Sequence, residues 1–285
     1  MSNVDVKDVE LKSNNCCSEN PGANLGCCPS RLAVTMVDPP FILSPKDTLD
    51  IEFRPVGWTA KGASRRVLDK GFVRLVDWMG NDDSIVRAAR VSYGQGIKTI
   101  EEDKKLINFL IRERHTSPLE QVTFTFHVKA PLFVFRQWHR HRTWSYNEVS
   151  ARYTEMKDEF YIPETTRITK QDKKNKQGST NEQISEAETA VEMIRRNSDE
   201  SYLIYQDLLN MGVARELART VLPVNLYSEM FATVNLHNLM HFLKLRLGVH
   251  SQYEIREYAE ALEWLASKIC PWSFEAWSKY IIRGE

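Results

Sequence analysis

Arg136, His139, Arg140, His141, Arg142 and Arg152 crowd into residues 136–153, where Glu148 is the only acid. Guanidinium groups are planar, permanently charged forks that match phosphate and carboxylate oxygens. Gathering them raises mutual repulsion, which an anionic ligand relieves. A solvated basic face is the ordinary outcome of such a run. Two features argue otherwise here: the run follows the apolar segment Ala130 to Phe135, and it contains Trp138, Trp144 and Tyr146. It should therefore be partly buried.

Further charges recur at informative spacings. Arg215 and Arg219 lie one helical turn apart and so share a face. Arg246 closes the apolar run Met240, Phe242, Leu243 and Leu245; a cation in such company either sits in a structural ion pair or serves a ligand. His237 and His241 have the spacing of zinc ligands on a helix, but Asn238 stands where a metalloprotease carries glutamate. A lone pair of this kind is more often a polar helix face. Gly94 and Gly96 lack the third glycine of a dinucleotide fingerprint, and neither a P-loop nor a serine-hydrolase elbow is present. The residues point to an anionic ligand, such as a nucleotide among aromatic neighbours, with no evident nucleophile. They do not fix the reaction.

The elements that must hold these groups are legible from capping and periodicity. Asp82 or Asp83 can cap a helix whose apolar side is Ile85, Ala88, Ala89 and Val91. Thr99 with Glu102 forms a capping-box pattern ahead of Leu106, Ile107, Leu110 and Ile111. Ser117, Pro118 and Glu120 make a second helix start. Val122, Phe124, Phe126 and Val128 alternate with Thr123, Thr125, His127 and Lys129, a strand with one buried face. Pro131 opens a short helix through Gln137, whose C-terminal end delivers the basic run and itself favours cations. Residues 165–183, rich in Lys and Gln, read as a mobile loop. Helices are expected over about 184–211, 213–221, 235–247 and 252–269. Long helices with a few alternating strands imply a mixed α/β or α+β fold, and no internal repeat is apparent.

A chain of 285 residues with balanced charge can bury a substantial core, as one large domain or two smaller ones. Zero net charge gives no support to non-specific nucleic-acid binding, and no apolar run reaches bilayer-spanning length. Residues 1–64 carry little periodicity and many breakers, Pro39 and Pro40 among them. They read as a poorly ordered N-terminal extension, with Ile51 to Phe53 at most a short strand, and residues 65–285 as the folded domain. Cys16, Cys17, Cys27 and Cys28 form adjacent pairs without the ligand spacing of zinc sites, so no metal site is assigned. The N-terminus has no apolar core for a secretory signal, and Asp5, Asp8 and Glu10 are unlike a transit peptide. The cytoplasm is the default location.

Arg140, His141 and Arg142, followed after seven residues by Ser150 and flanked by Gln137, Asn147, Glu148 and Arg152, resemble the signature of the flavin-dependent thymidylate synthases, the ThyX family. Asp69 to Phe72, Ala88 to Ser92, Phe124 to His127, Leu222–Pro223, Asn225 to Tyr227 and Cys270 to Trp272 look familial too, so the resemblance runs from about Leu68 to Lys279. It implies an α+β fold with a central antiparallel-rich sheet flanked by helices. It also implies non-Rossmann binding of FAD at the subunit junctions of a homotetramer. The implied reaction is reductive methylation of dUMP to dTMP, with methylenetetrahydrofolate as carbon donor, NADPH as the reductant of FAD, and no cysteine nucleophile.

Carried over residue by residue, the resemblance implies a dUMP site of Gln137, Trp138, His139, Arg140, Glu148, Val149, Ser150, Ala151, Arg152, Arg219 and Arg246. It implies FAD contacts from Ser92, Ser117, Arg140, His141, Arg142, Glu148, Asn235, Leu236, His237 and His241. Arg246 is the implied catalytic residue, because a fixed cation beside the uracil would stabilise negative charge developing on the ring. Ser150 is implied as a binding hydroxyl, with no His–acid pair evident to activate it. His241 stands where some relatives carry Asn, and both side chains can hydrogen-bond. No nucleic acid, membrane or metal enters this expectation. Two other classes compete on the residues alone: a metal-dependent hydrolase using His139, His141, His237 and His241, and an RNA-binding module in which Arg and Trp grip phosphates and stack bases.

Overall fold

The alternation predicted over Val122–Val128 becomes strand β3 (Thr123–Pro131), the middle of the main sheet. A computed structural model describes residues 61–284 apart from Gln95 and Ile97; the expectations for Ile51–Phe53 and for the cysteine pairs lie outside the described residues. Phe124, Phe126 and Val128 are wholly buried, while Thr125 and His127 face the opposite side. Around β3 stand β1 (Ser64–Val67), β2 (Gly71–Met79), β4 (Ser145–Glu148) and β7 (Tyr227–Asn235). They form a five-stranded sheet in the order β1-β2-β3-β7-β4 with every pair antiparallel. The register sets Phe126 opposite Leu75 on one side and Ala232 on the other.

Residues 165–183 are not one loop. They hold a hairpin of β5 (Thr169–Gln171) and β6 (Ser179–Gln183), whose polar sequence lacks the apolar alternation that marks a half-buried strand. The β1–β2 turn shows why the Asp69 to Phe72 segment has its composition. A Cβ on Gly71 would lie 2.0 Å from the Tyr258 hydroxyl and 2.8 Å from the Lys129 carbonyl, so only glycine fits. Asp69 accepts a hydrogen bond from the Tyr227 hydroxyl at 2.5 Å, tying this turn to the start of β7.

Helix α1 spans Asp82–Arg90, and its cap is Asn81 rather than Asp82 or Asp83. The Asn81 carboxamide oxygen accepts from Ser84 N, and the Ser84 hydroxyl accepts from Asn81 N. Asp82 is buried and engaged elsewhere: it accepts from the backbone of Trp272 and Ser273 and from the Ser273 hydroxyl, serving the N-terminus of α8 (Pro271–Trp277). Burial pushes its carboxyl up to about 6, against those hydrogen bonds. Helix α2 (Ile100–Arg112) starts at the predicted Thr99–Glu102 box. A buried Arg90–Asp103 ion pair at 2.5 Å locks α1 to α2. Ser117–Gln121 forms a 3-10 turn without a side-chain cap instead of an α-helix.

The remaining helices are α3 (Leu132–Trp138), α4 (Ala187–Asn210), α5 (Arg215–Ala218), α6 (Leu236–Arg246) and α7 (Tyr253–Ser267). The helix expected over 213–221 is thus the single turn α5 followed by a 3-10 turn, Arg219–Val221. One core joins the buried sheet face to α1, α2, α3, α6, α7 and α8, and a smaller one gathers Met156, Phe160, Tyr205, Ala218 and Leu226. Among the described residues, no helix is long and apolar enough to cross a membrane.

Candidate functional site

Proline at 131 ends β3 and starts α3, where its missing N–H costs nothing. α3 sends Val134, Phe135 and Trp138 into the core and leaves Arg136 exposed. The chain turns after Trp138, with the His141 N–H donating to Trp138 O at 2.9 Å. Tyr146 on β4 pins this turn by sharing its hydroxyl proton between His141 O at 2.9 Å and Trp138 O at 3.2 Å. Burial pushes its phenol above the usual range, which keeps it a donor.

Beside the turn lies a cleft of about 520 Å³. Arg136, His139, Glu148, Val149, Ser150, Ala151, Arg219 and Ser228 line it, over an apolar floor that includes Leu132, Phe135 and Leu226. Arg136 and Arg219 have no side-chain partner among the described residues. Arg152 and Arg215, by contrast, are taken up by Glu216 at 3.2 Å and Glu155 at 3.0 Å. Two uncommitted guanidinium groups on one cleft make an anion site. Glu148 is held by the Ser228 hydroxyl, which donates to it at 2.9 Å.

Helix α6 returns Arg246 to the same turn. Its Nε–H donates to His141 Nε2 at 2.9 Å, and its Nη2 donates to Gln137 O at 3.0 Å. An imidazole nitrogen that accepts from a guanidinium carries no proton, so His141 is neutral with its hydrogen on Nδ1. Burial, reinforced by the charges of Arg246 and His241, pulls His141 down to about 4. Burial lowers Arg246 as well, without discharging a group this basic. Phe242 packs 4.7 Å from the His141 ring and supports it from the core.

A second cleft of about 270 Å³ lies on α6. Arg114, His237, His241 and Lys244 surround an apolar floor that includes Met240, Leu119 and Trp277. None of these four polar side chains has a hydrogen-bond or ion-pair partner among the described residues. His241 meets His141 ring to ring at 6.3 Å, which links this cleft to the turn that holds Arg246. Arg114 sits at φ +57, in the left-handed position after α2 where His115 N–H returns to Leu110 O at 2.8 Å. Glycine is usual there. A residue with a Cβ in that conformation costs on the order of 1–2 kcal/mol, a strain typical of functional sites.

The expected residues divide unevenly. His139, Glu148, Val149, Ser150, Ala151 and Arg219 line the larger cleft, while Gln137 and Arg246 meet beside His141. Arg140, Arg142 and Arg152 are exposed. The Trp138 side chain is fully buried against Trp144, Phe242 and Tyr258, so it supports the turn and leaves only its backbone to meet a ligand. Leu236 is likewise fully buried, and Asn235 caps α6 by accepting from Asn238 N at 2.9 Å. His237 and His241 line the smaller cleft, Ser117 adjoins its lining residue Thr116, and Ser92 lines neither. Several polar lining residues lie outside the implied sites. Arg136 belongs to the basic run one turn before Arg140, and Lys244 lies one turn after His241, so spacing could have found them; Thr116, Thr220, Ser228 and Arg114 carried no such signal.

Other chemistries lose their footing here. The four histidines of a metal-dependent hydrolase are divided between the clefts and the Arg246 contact. Among the described residues, no three of His, Cys, Asp or Glu are placed to hold a metal ion. Cys270 is fully buried, and burial with Asp82 nearby raises its thiol well above the ordinary value, which removes the thiolate a nucleophile needs.

Comparison with known proteins gives a consistent set of matches. The family described as thymidylate synthase complementing protein matches residues 74–272. A flavin-dependent thymidylate synthase of Thermus thermophilus is 54% identical over 218 residues, covering 76% of this chain and 79% of its own. One from Thermosipho africanus is 50% identical over 221 residues, covering 77% of this chain and 96% of its own. A crystal structure of the UMP/dUMP methylase PolB from Streptomyces cacaoi, bound with 5-Br dUMP, is 37% identical. It covers 75% of this chain and 97% of its own, with a TM-score of 0.69.

Proposed function

This chain belongs to the flavin-dependent thymidylate synthase family, and we propose that it methylates dUMP reductively to dTMP, with methylenetetrahydrofolate as carbon donor and NADPH-reduced FAD as hydride donor. One observation carries the nucleotide assignment: the signature segment and Arg219 line a cleft whose two guanidinium groups are uncommitted. Its volume falls in the range of roughly 300–1,000 Å³ typical of small-molecule sites. A related enzyme bound with 5-Br dUMP supports the same reading.

In this reading Arg136 and Arg219 take the phosphate, and Ser150 with Glu148 contacts the nucleotide. Arg246 supplies a fixed positive charge beside the base, where negative charge develops as the ring is activated. The neutral His141 accepts from the Arg246 Nε–H and so orients the guanidinium without competing for its charge. No thiol need attack the ring, in keeping with the burial of Cys270.

The smaller cleft suits FAD in chemistry: Arg114, His237, His241 and Lys244 offer cations and donors to a diphosphate, and the apolar floor suits a ring system. Bound there, FAD would supply the hydride chemistry. At about 270 Å³ the cleft falls below the range of roughly 300–1,000 Å³ for drug-sized ligands, and FAD is larger still. A second copy of the chain would complete it, in keeping with Ser92 lining neither cleft and with the homotetramer that the resemblance implies. The absorption spectrum of the purified protein tests the whole reading. A flavin band that bleaches with NADPH, faster when dUMP is present, is expected; a colourless protein that forms no dTMP after FAD is added would overturn it.

A further inference from the structure

Gln137 is connected to more than Arg246. Its Nε2 donates to the Gln252 carboxamide oxygen at 2.5 Å, and Gln252 Nε2 donates in turn to Glu254 Oε2 at 2.7 Å. Glu254 is buried, and its other oxygen accepts from the Tyr161 hydroxyl at 3.1 Å and from Arg167 Nη2 at 3.0 Å and Nε at 3.2 Å. Arg167 stacks over Tyr253, 4.7 Å from the ring centroid, which holds the far end in place. The chain therefore runs from a part-buried ion pair to the residue whose carbonyl grips Arg246.

The direction of these bonds follows from chemistry. A carboxylate in an ion pair only accepts, so Gln252 must turn its NH2 toward Glu254. Its oxygen then faces Gln137 and accepts from that NH2 group. Two amides that could each flip freely are thus set in one orientation. Gln137 is left with its own carboxamide oxygen and one N–H for a ligand.

We propose that Gln252 and Glu254 are positioning residues for nucleotide binding, acting through the Gln137 carboxamide. The proposal rests on the assignment of Gln137 to the dUMP site. A glutamine side chain near the surface otherwise loses rotamer freedom when it binds, and fixing it beforehand removes that cost. Neither residue needs to touch the nucleotide.

Gln252→Leu is the direct test, because Gln252 is exposed at the start of α7 and its loss leaves the core intact. The KM for dUMP is expected to rise ~3–10-fold with kcat little changed and FAD content as in the wild type, while the melting temperature falls slightly because buried Glu254 loses one donor. The same substitution on a Gln137→Ala background should add nothing, since its target is already gone. Gln252→Asn, which keeps the amide but shortens its reach, serves if the Leu variant fails to fold. An unchanged KM, or an equal rise with and without Gln137, overturns the proposal while the dUMP reading stands. Wild-type protein that neither binds nor turns over dUMP overturns both.

Discussion

The two clefts are built from similar residue types and differ in how those residues are held. At the larger cleft Glu148 is fastened by Ser228, and beside it Gln137 is held by Gln252 and Arg246 by His141 and a carbonyl; of the cleft's arginines, Arg136 and Arg219 stand free among the described residues. In the smaller one Arg114, His237, His241 and Lys244 have no polar partner among the described residues. A prearranged site loses little freedom when its ligand arrives, whereas an unanchored one takes its order from the ligand or from another copy. The first cleft is therefore read as the place of chemistry and specificity, and the second as a place of assembly.

Arg246 gives the sharpest test of that contrast. Arg246→Ala should lower dTMP formation by ~10²–10³-fold, the usual cost of removing a preorganised charge at a reacting centre. FAD content should persist. Near-normal turnover, read by chromatography of the nucleotide product, would return Arg246 to a merely structural role.

The His141 contact that orients Arg246 predicts a pH signature. His141 titrates at about 4 in the folded protein and near ~6.5 when unfolded, so the unfolded chain binds the extra proton first as pH falls. Its contribution is present above about 6.5 and is lost on acidification toward 4, with an upper bound of about 3 kcal/mol. Asp82 runs the other way. Its folded value is raised to about 6, so its contribution is full below about 3.9 and is lost as pH rises through 6. The two partly cancel in the wild type. Comparing melting temperatures of wild type and His141→Asn isolates the first: their difference should shrink as pH falls from 6.5 to 4. A difference constant across that window would mean that His141 is not held neutral by the fold.

Asp82 also shows what a sequence hides. It stood at the right place to cap α1, yet its carboxylate serves α8, a contact between residues 191 apart at Ser273. Local capping logic cannot see such a claim on a side chain, and Asn81 took the role instead. β7 was hidden for a different reason: its buried face is Ser228, Met230, Ala232 and Val234, half of them small or polar, so the alternation that marked β3 is weak. β1 and β4 have four residues each, too few for a period to register. The basic segment and Arg219 were legible because their charges are uncompensated locally. Trp138 and Leu236 were assigned by adjacency to ligand-facing positions, and adjacency does not tell which neighbour turns inward.

The free arginines of the larger cleft come next in size. Arg219→Ala and Arg136→Ala should each raise the KM for dUMP by ~10–100-fold, the range for a hydrogen bond to a charged group. Added salt should weaken wild-type binding and affect the variants less. FAD content should stay level in both, since neither residue lines the smaller cleft.

The smallest effects are expected where nothing is anchored. His241→Ala or Lys244→Ala removes a side chain that the free protein does not hold in place. Part of its interaction with a ligand is therefore offset by the ordering it requires. FAD affinity should fall only ~2–10-fold for either, the range of a single modest hydrogen bond. Titration of the apoprotein with FAD, followed by the change in flavin absorption, measures it directly. Dilution sharpens the reading: if a second copy completes this cleft, flavin should be released as the assembly dissociates, and earlier in these variants than in the wild type. Complete loss of FAD from a single substitution would instead mean that this cleft is as finished in one chain as its neighbour, and the contrast between the two would collapse.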